Sequence, residues 1–403
     1  MSNLIVFKTK MFPTVSETFV TSNIVAAIKA GLSVKIVVDT VNPLNNSSQP
    51  ELLQEYGLMD KVTSIRLPKS SFVRLIKALG YLIDPTLFRF FLKYCRLKKR
   101  VTLQFIFFLQ FYKKLRKTKI FHVHFADSAN PLLDLKEIGF LDTKVVVTFH
   151  GYDAHFIEQQ NNEMVDCYLK HVDTITVNSE YLKEVLQAKG FESKQIDVVP
   201  IGIDCEFFRK DKARLYTENE CKLITVGRLM PLKGQHLGIE AIKLLQNKGY
   251  RINYSLVGSG PQLDMLKKTA TALGVQDSVE FLGPKNQSEI KELLSEHSIF
   301  LMTSIVDEDM RREAFGVVSL EAQAMGLPVI AFRSGGVPET LVENTTGFLV
   351  EEENVAAFAA KIESLITNAN KLETMSTAAV DHVNKNFDIR TTSNKYIALY
   401  ENL

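Results

Sequence analysis

Short β-branched runs alternate with helix-length segments along the whole chain, and they do so in two series. The first series occupies residues 4–7, 33–38, 62–67, 121–125, 144–149, 174–177 and 196–199; the second occupies 223–226, 254–257, 279–282, 299–302, 328–332 and 348–350. Parallel strands need a crossover between them, and a helix is the usual crossover, so this alternation predicts parallel sheets with helices on both faces. A polar stretch near 210–222 separates the series. The expectation is an α/β chain of two doubly wound, Rossmann-like domains whose sheets face one another across a cleft. Residues 1–208 form the first and 209–385 the second, and a last helix within 386–403 is expected to pack back on the first. In such sheets ligands sit beyond the carboxyl ends of the strands.

Composition agrees with this size of fold. The chain has 403 residues, 46% of them apolar and 23% charged, which is too much core for a single small module and too little Gly and Pro for disorder. Cys95, Cys167, Cys205 and Cys221 stand far apart without a C-x-x-C pair, so neither a disulfide framework nor a zinc knuckle is expected. The opening residues carry no basic region, long apolar run or cleavage site, which predicts a cytoplasmic protein.

Charge is segregated. Residues 66–119 hold fifteen Lys or Arg against one acid, Asp84, a local charge of +14 in a chain whose total is +2. The same segment holds eleven of the chain's Phe and Tyr residues, in runs such as Phe88-Arg89-Phe90-Phe91 and Phe105-Ile106-Phe107-Phe108. Its longest uncharged stretch, 101–112, falls short of the roughly 20 residues of a spanning helix. Basic and aromatic residues interleaved in this way suit anionic lipid headgroups, which predicts a peripheral docking surface on a membrane. Nucleic acid is not expected as a partner, because no recognition module accompanies the charge. The competing reading is a solvated helical face over a core.

The chemistry clusters after strands. Gly227-Arg228-Leu229-Met230-Pro231-Leu232-Lys233-Gly234 places two cations on one short loop. A guanidinium fork and an ammonium together suit a diphosphate whose charge grows as it leaves. Glu313-Ala314-Phe315-Gly316 then opens a helix that runs through Glu321. Free N–H groups at a helix start bind phosphate oxygens, and eight residues at the helical rise span about 12 Å, so two carboxylates would flank one diphosphate and bond polyols on either side. That is the layout of a nucleotide sugar. Gly258 and Gly283 end two later strands and are placed to wall a nucleobase.

On the first series, Val147-Thr148-Phe149-His150-Gly151-Tyr152-Asp153 ends a buried strand. His150 there can donate to a sugar oxygen or orient a backbone carbonyl, and Gly151 lets a substrate approach the main chain. The loop after the first strand brings Ser16, Glu17 and Thr18 to a similar place, with capping of a helix as the alternative role of Ser16. Two apparent metal signals, Asp307-Glu308-Asp309 and His122-x-His124, have no further ligands nearby in sequence and are set aside in favour of a solvated loop for the acids and of packing or substrate contact for the histidines.

Taken in order, Gly-Arg-x4-Lys-Gly, Glu-x-Phe-Gly-x4-Glu-Ala, Gly-x-Pro-Val-Ile-Ala and Gly335-Gly336-Val337-Pro338-Glu339 resemble the motifs of the retaining glycosyltransferases of family 4. The likeness spans nearly the whole chain and is densest over 227–350. The opening Ser-Glu-Thr-Phe and the His-Gly-Tyr-Asp are similar to members that build bacterial capsule, exopolysaccharide or lipopolysaccharide. The resemblance implies the two-domain GT-B fold and transfer of a hexosyl unit from a nucleotide-diphosphate sugar to a hydroxyl of a lipid-linked saccharide. A UDP-sugar is favoured over a GDP-sugar as donor, and no metal or other cofactor is expected. It implies that Arg228 and Lys233 bind the diphosphate, that amides around Phe315 and Gly316 touch phosphate, that Glu313 holds the donor sugar and Glu321 the ribose, and that His150 lies beside the transferred sugar. The chain lacks the Gly-Gly pair that many members carry after the first strand. Two alternatives share the fold: a sugar-nucleotide epimerase, and a non-catalytic sugar-binding subunit of a synthase complex. The intact set Arg228, Lys233, Glu313 and Glu321 argues against the second.

Overall fold

A computed structural model describes residues 3–15, 17–155, 157, 162–209 and 220–403. The chain forms two units, each built on an all-parallel sheet. The first sheet has seven strands, β1 (Leu4–Phe12), β2 (Ser33–Val41), β3 (Val62–Ser64), β4 (Ile120–His124), β5 (Lys144–Phe149), β6 (Thr174–Val177) and β7 (Ile196–Val198), in the order β3-β2-β1-β4-β5-β6-β7. The second has six, β8 (Glu220–Val226), β9 (Arg251–Val257), β10 (Val279–Gly283), β11 (Ile299–Met302), β12 (Val329–Phe332) and β13 (Gly347–Val350), in the order β10-β9-β8-β11-β12-β13.

Both orders have one reversal point. From β1 the chain first winds outward through β2 and then returns to lay β4 on the other side; β8 stands in the same relation to β9 and β11. Loops leaving the two central strands therefore diverge, and the crevice they leave at the carboxyl end is where a doubly wound sheet takes its ligand. Crossover helices cover the strands on both faces: every residue of β4, β6, β11, β12 and β13 is buried.

The described strands fall where the sequence pattern places them but differ in their ends: β1 runs on to Phe12 and β2 to Val41, past the 4–7 and 33–38 read from the sequence. β3 stops at Ser64 rather than continuing to 67, because it pairs on one side only, with β2, and Arg66 beyond it is exposed. The chain leaves the first unit after Val198, ahead of the division expected at 208/209. Ile203, Cys205 and Phe208 instead pack in the core of the second unit with Ile224, Val226 and Phe300. The last helix, Ile389–Asn402, divides between the units, with Lys395–Leu403 belonging to the first.

The basic segment folds as three helices, Ser71–Leu82, Pro85–Lys98 and Gln104–Tyr112. Its lone acid has a local purpose: the Asp84 carboxylate accepts from the Thr86 and Leu87 N–H groups at the start of the second helix, with Pro85 in the first turn. Among the described residues no helix is long and apolar enough to cross a membrane.

Candidate functional site

In the second unit the predicted residues gather at the β8/β11 reversal point. The loop after β8 leaves through Gly227 and Arg228, makes a short turn at Pro231–Lys233, and enters the helix Gln235–Asn247. Gly234 joins turn to helix in the left-handed conformation, φ +55°, and a Cβ there would lie 2.2 Å from the Thr303 carbonyl oxygen at the end of β11. This contact locks the cationic loop against the neighbouring strand. The Thr303 hydroxyl donates to the Lys233 carbonyl at 2.7 Å, and the buried Gln235 amide donates to the Arg228 carbonyl at 2.9 Å.

Lys233 and Glu313 form an ion pair, and Ser304 donates to the same carboxylate at 3.3 Å. The two side chains are 17% and 16% exposed, so the pair is partly desolvated yet reachable. Arg228 is exposed, and no ion pair engages it among the described residues. Glu313 lies in the loop ahead of the helix Val317–Ala324 rather than on it, so its distance from Glu321 is not set by helical rise. Gly316 is the residue that turns loop into helix. The Gly336 N–H donates to the Glu313 carbonyl at 2.9 Å, so the Gly335-Gly336 turn props up the backbone that carries the carboxylate.

Glu321 is 9% exposed, and burial pushes its carboxyl up to about 7, against a hydrogen bond with Gln287. Phe315 is buried with its ring against Phe387, 5.9 Å between centroids, which leaves only its backbone for a ligand. Gly258 and Gly283 brace the cationic loop: the Gly258 N–H donates to the Gly283 carbonyl at 2.8 Å, and a Cβ on Gly258 would fall 2.0 Å from the Gly227 carbonyl oxygen. Asp307 and Asp309 both pair with Arg311, at 2.7 and 3.0 Å.

In the first unit the β1/β4 reversal point is lined with imidazoles. His150 follows β5, and its Nε2 lies 3.0 Å from Nδ1 of His124 at the end of β4. Phe19, from the helix Thr18–Lys29, and Phe125 flank the His150 ring at 4.4 and 4.5 Å between centroids. Burial holds the His124 imidazole down at about 3, and burial together with His124 holds His150 well below its ordinary range. Both rings are neutral, so one nitrogen of the pair donates and the other accepts. His122 is tied off separately, 2.6 Å from the Tyr400 hydroxyl and 2.7 Å from that of Thr148.

Asp153 has a different place from the acceptor contact expected of it. It is 1% exposed, and its carboxylate accepts from the backbone N–H groups of His150, Gly151 and Ala126 at 2.9, 3.0 and 2.9 Å. It braces the turn that carries His150, and burial raises its carboxyl to about 6 in spite of those bonds. Thr18 and Glu17 stand half-buried at the start of the flanking helix, and burial raises the Glu17 carboxyl. Ser16 lies outside the described residues.

Comparison with known families places the chain. Residues 206–382 match the model of glycosyl transferases group 1, and residues 68–207 match that of glycosyltransferase family 4. The chain belongs to this family of glycosyltransferases, and its two parallel-sheet units are those of the GT-B fold. It is 31% identical over 367 residues to the amylovoran biosynthesis glycosyltransferase AmsK of Erwinia amylovora, with 88% of each chain covered. It is 26% identical over 292 residues to the putative colanic acid biosynthesis glycosyltransferase WcaL of Salmonella typhimurium, covering 70% of each. Among solved structures it is similar to Anabaena HepE in complex with UDP, with a TM-score of 0.73 at 18% identity and all of both chains covered.

Proposed function

We propose that this chain transfers a hexosyl unit, with retention of anomeric configuration, from a nucleotide-diphosphate sugar to a hydroxyl of a lipid-linked saccharide. The product is a growing cell-surface polysaccharide, and the reaction takes place on the inner face of the cytoplasmic membrane. The observation that carries this reading is the Lys233–Glu313 pair beside the exposed Arg228. A lysine held by a carboxylate is a cation kept in place without a ligand. An arriving diphosphate takes the ammonium, and Glu313 is released to accept from the donor sugar hydroxyls.

As the bond from the anomeric carbon to the phosphate oxygen breaks, the acceptor oxygen bonds to that carbon on the same face. The leaving phosphate oxygen takes the acceptor proton. Arg228 and Lys233 stabilise the charge that gathers on the diphosphate, and no side chain need form a covalent bond. Glu321 accepts from the ribose hydroxyls in its ionised form. His150, Gly151, Glu17 and Thr18 are the acceptor-side candidates in the first unit. The reaction calls on no metal, because the two cations fill that role. The names of AmsK and WcaL support the polysaccharide product, and the UDP in HepE supports a uridine donor.

The test is a thermal-shift screen of the purified chain against UDP- and GDP-sugars, followed by anomeric assignment of the product by NMR. Stabilisation by one UDP-sugar and an axial-to-axial or equatorial-to-equatorial outcome are expected. No stabilisation by any sugar nucleotide would favour the non-catalytic sugar-binding subunit, and inverted product would remove the retaining mechanism.

A further inference from the structure

The helix Ser71–Leu82 is inside out. Its inward side consists of Ala78, the half-buried Arg74, whose guanidinium donates to the Pro68 carbonyl at 3.0 Å, and Tyr81, packed edge-on against Phe107. Its outward side carries Phe72, Leu75, Ile76 and Leu79, with Ile83 just past its end, all exposed; Phe72 is 71% and Ile83 81% accessible. At 3.6 residues per turn these five fall within an arc of about 100°, a continuous apolar stripe of the kind that normally faces a core. The next helix, Pro85–Lys98, adds Phe88 and Leu92 on its own open side. Ten of the eighteen large apolar side chains exposed among the described residues lie within 72–101, so this exposure is a patch and not scatter.

Cations of the same segment stand without ion-pair partners. Lys69, Lys77, Lys93, Arg96, Lys99 and Arg100 are exposed and form no ion pair among the described residues, whereas Lys98 is held by Asp134 and Glu137 at 2.9 Å each. The one acid of the segment, Asp84, is occupied as a helix cap. A second copy of the chain would bring +14 against +14 and is disfavoured by its own charge. An anionic bilayer offers what both halves of the patch lack: acyl chains for the stripe and phosphates for the cations.

We propose that the helix Ser71–Leu82 lies in the plane of an anionic membrane with the Phe72-to-Ile83 stripe among the acyl chains, while the cations around the helix Pro85–Lys98 hold lipid phosphates. This deepens the membrane reading above by naming the inserted face. The chain contains no tryptophan, so one introduced indole reports on one position. Ile76→Trp in the full chain is expected to shift its emission to the blue on addition of phosphatidylcholine vesicles containing phosphatidylglycerol, and to be quenched by brominated acyl chains. Tyr81→Trp, on the inward side, is expected to do neither. Replacing Phe72, Ile76 and Ile83 with Ser is expected to abolish co-flotation with those vesicles. Arg96→Gln, Lys99→Gln and Arg100→Gln together are expected to lower binding by about a hundredfold, roughly fivefold for each charge.

Ile76→Trp emission that ignores vesicles, or flotation unchanged by the three Ser substitutions, would overturn the proposal. So would binding that does not depend on phosphatidylglycerol, or a wild-type dimer in sedimentation that the Ser variant dissolves. UDP-sugar stabilisation of the same Ser variant separates the two readings: if it persists while flotation is absent in the wild type, the docking face fails and the transferase stands.

Discussion

The two reversal points hold their reactive groups by different physics. In the second unit Lys233 and Glu313 are an ion pair, about one-sixth exposed, on a loop pinned to β11 through Gly234. In the first, His124 and His150 are neutral rings held by one hydrogen bond and by the flanking Phe19 and Phe125. A partly exposed ion pair can exchange its partner for a charged ligand at small desolvation cost. A buried imidazole cluster cannot take up charge cheaply; it supplies shape and a single directed N–H or lone pair. The difference is what our proposal builds on: the loop of the second unit suits a charged ligand, and the turn of the first suits the orientation of neutral groups.

Removing the exchangeable cation tests that contrast most severely. Lys233→Ala is expected to lower kcat/KM by about 10²–10³, the usual worth of a group aimed at developing charge, with the melting temperature nearly unchanged because the side chain is on a loop. Arg228→Ala should do the same to a lesser degree. Glu313→Gln sharpens the comparison: it frees Lys233, so the free nucleoside diphosphate should bind at least as tightly as to the wild type while turnover of the sugar nucleotide falls. Weaker diphosphate binding by Glu313→Gln would show that the pair is structural and is not exchanged.

A smaller effect is expected from Glu321. Its carboxyl ionises at about 7 in the folded chain. Only the ionised form can accept two ribose hydroxyls, so donor affinity should weaken as pH falls, by about tenfold between pH 8 and pH 6. Glu321→Gln should flatten that dependence, measured by calorimetric titration of UDP across the range. Stability moves the other way. The folded chain keeps this proton above the ordinary carboxyl range near 4.5, where the unfolded chain has lost it, so stability contributed by the neutral form is present at low pH and declines as pH rises towards 7.

Much of the second unit was legible because its chemistry is contiguous. Arg228 and Lys233 are five positions apart on one loop, Glu313 and Gly316 three, and the strands ahead of them read as short β-branched or apolar runs, Leu223-Ile224-Thr225-Val226 and Ile299-Phe300-Leu301-Met302. In the first unit the sequence singled out Glu17, Thr18, Gly151 and His150, but not the grouping around the His150 ring. Its companions come from β4, from the loop after it and from the helix Thr18–Lys29, and nothing in their spacing joins them; only the sheet order, which sets β1 between β2 and β4, brings them together. Asp153 was misread for a related reason. Its place two residues after Gly151 suits a substrate contact and a backbone brace equally, and burial decides for the brace. Composition likewise marked the 66–119 segment as basic and aromatic, but which side of the helix Ser71–Leu82 faces outward depends on what Arg74, Ala78 and Tyr81 pack against.

The gentlest test bears on the imidazole pair. His124→Phe keeps a ring of similar shape beside Phe7 and His122 and removes the nitrogen that bonds His150. Turnover is expected to fall about three- to tenfold, the net worth of one hydrogen bond, with no further loss when the change is added to His150→Ala. Independent, multiplying losses would mean that His124 acts on something other than His150. The same variant also reads the electrostatics. Unfolding raises the two imidazoles to ordinary values near 6.5, whereas in the fold His124 resists protonation down to about 3 and His150 is likewise held low. Their contribution to stability is therefore intact above pH 6.5 and is lost as pH falls below it, by about 1.4 kcal/mol per pH unit for each ring, opposed over part of that range by the raised carboxyl of Asp153. Taking one ring away should shift the midpoint of acid unfolding to lower pH while the alkaline side stays where it is; an unmoved midpoint would show that the cluster is not what makes this unit sensitive to acid.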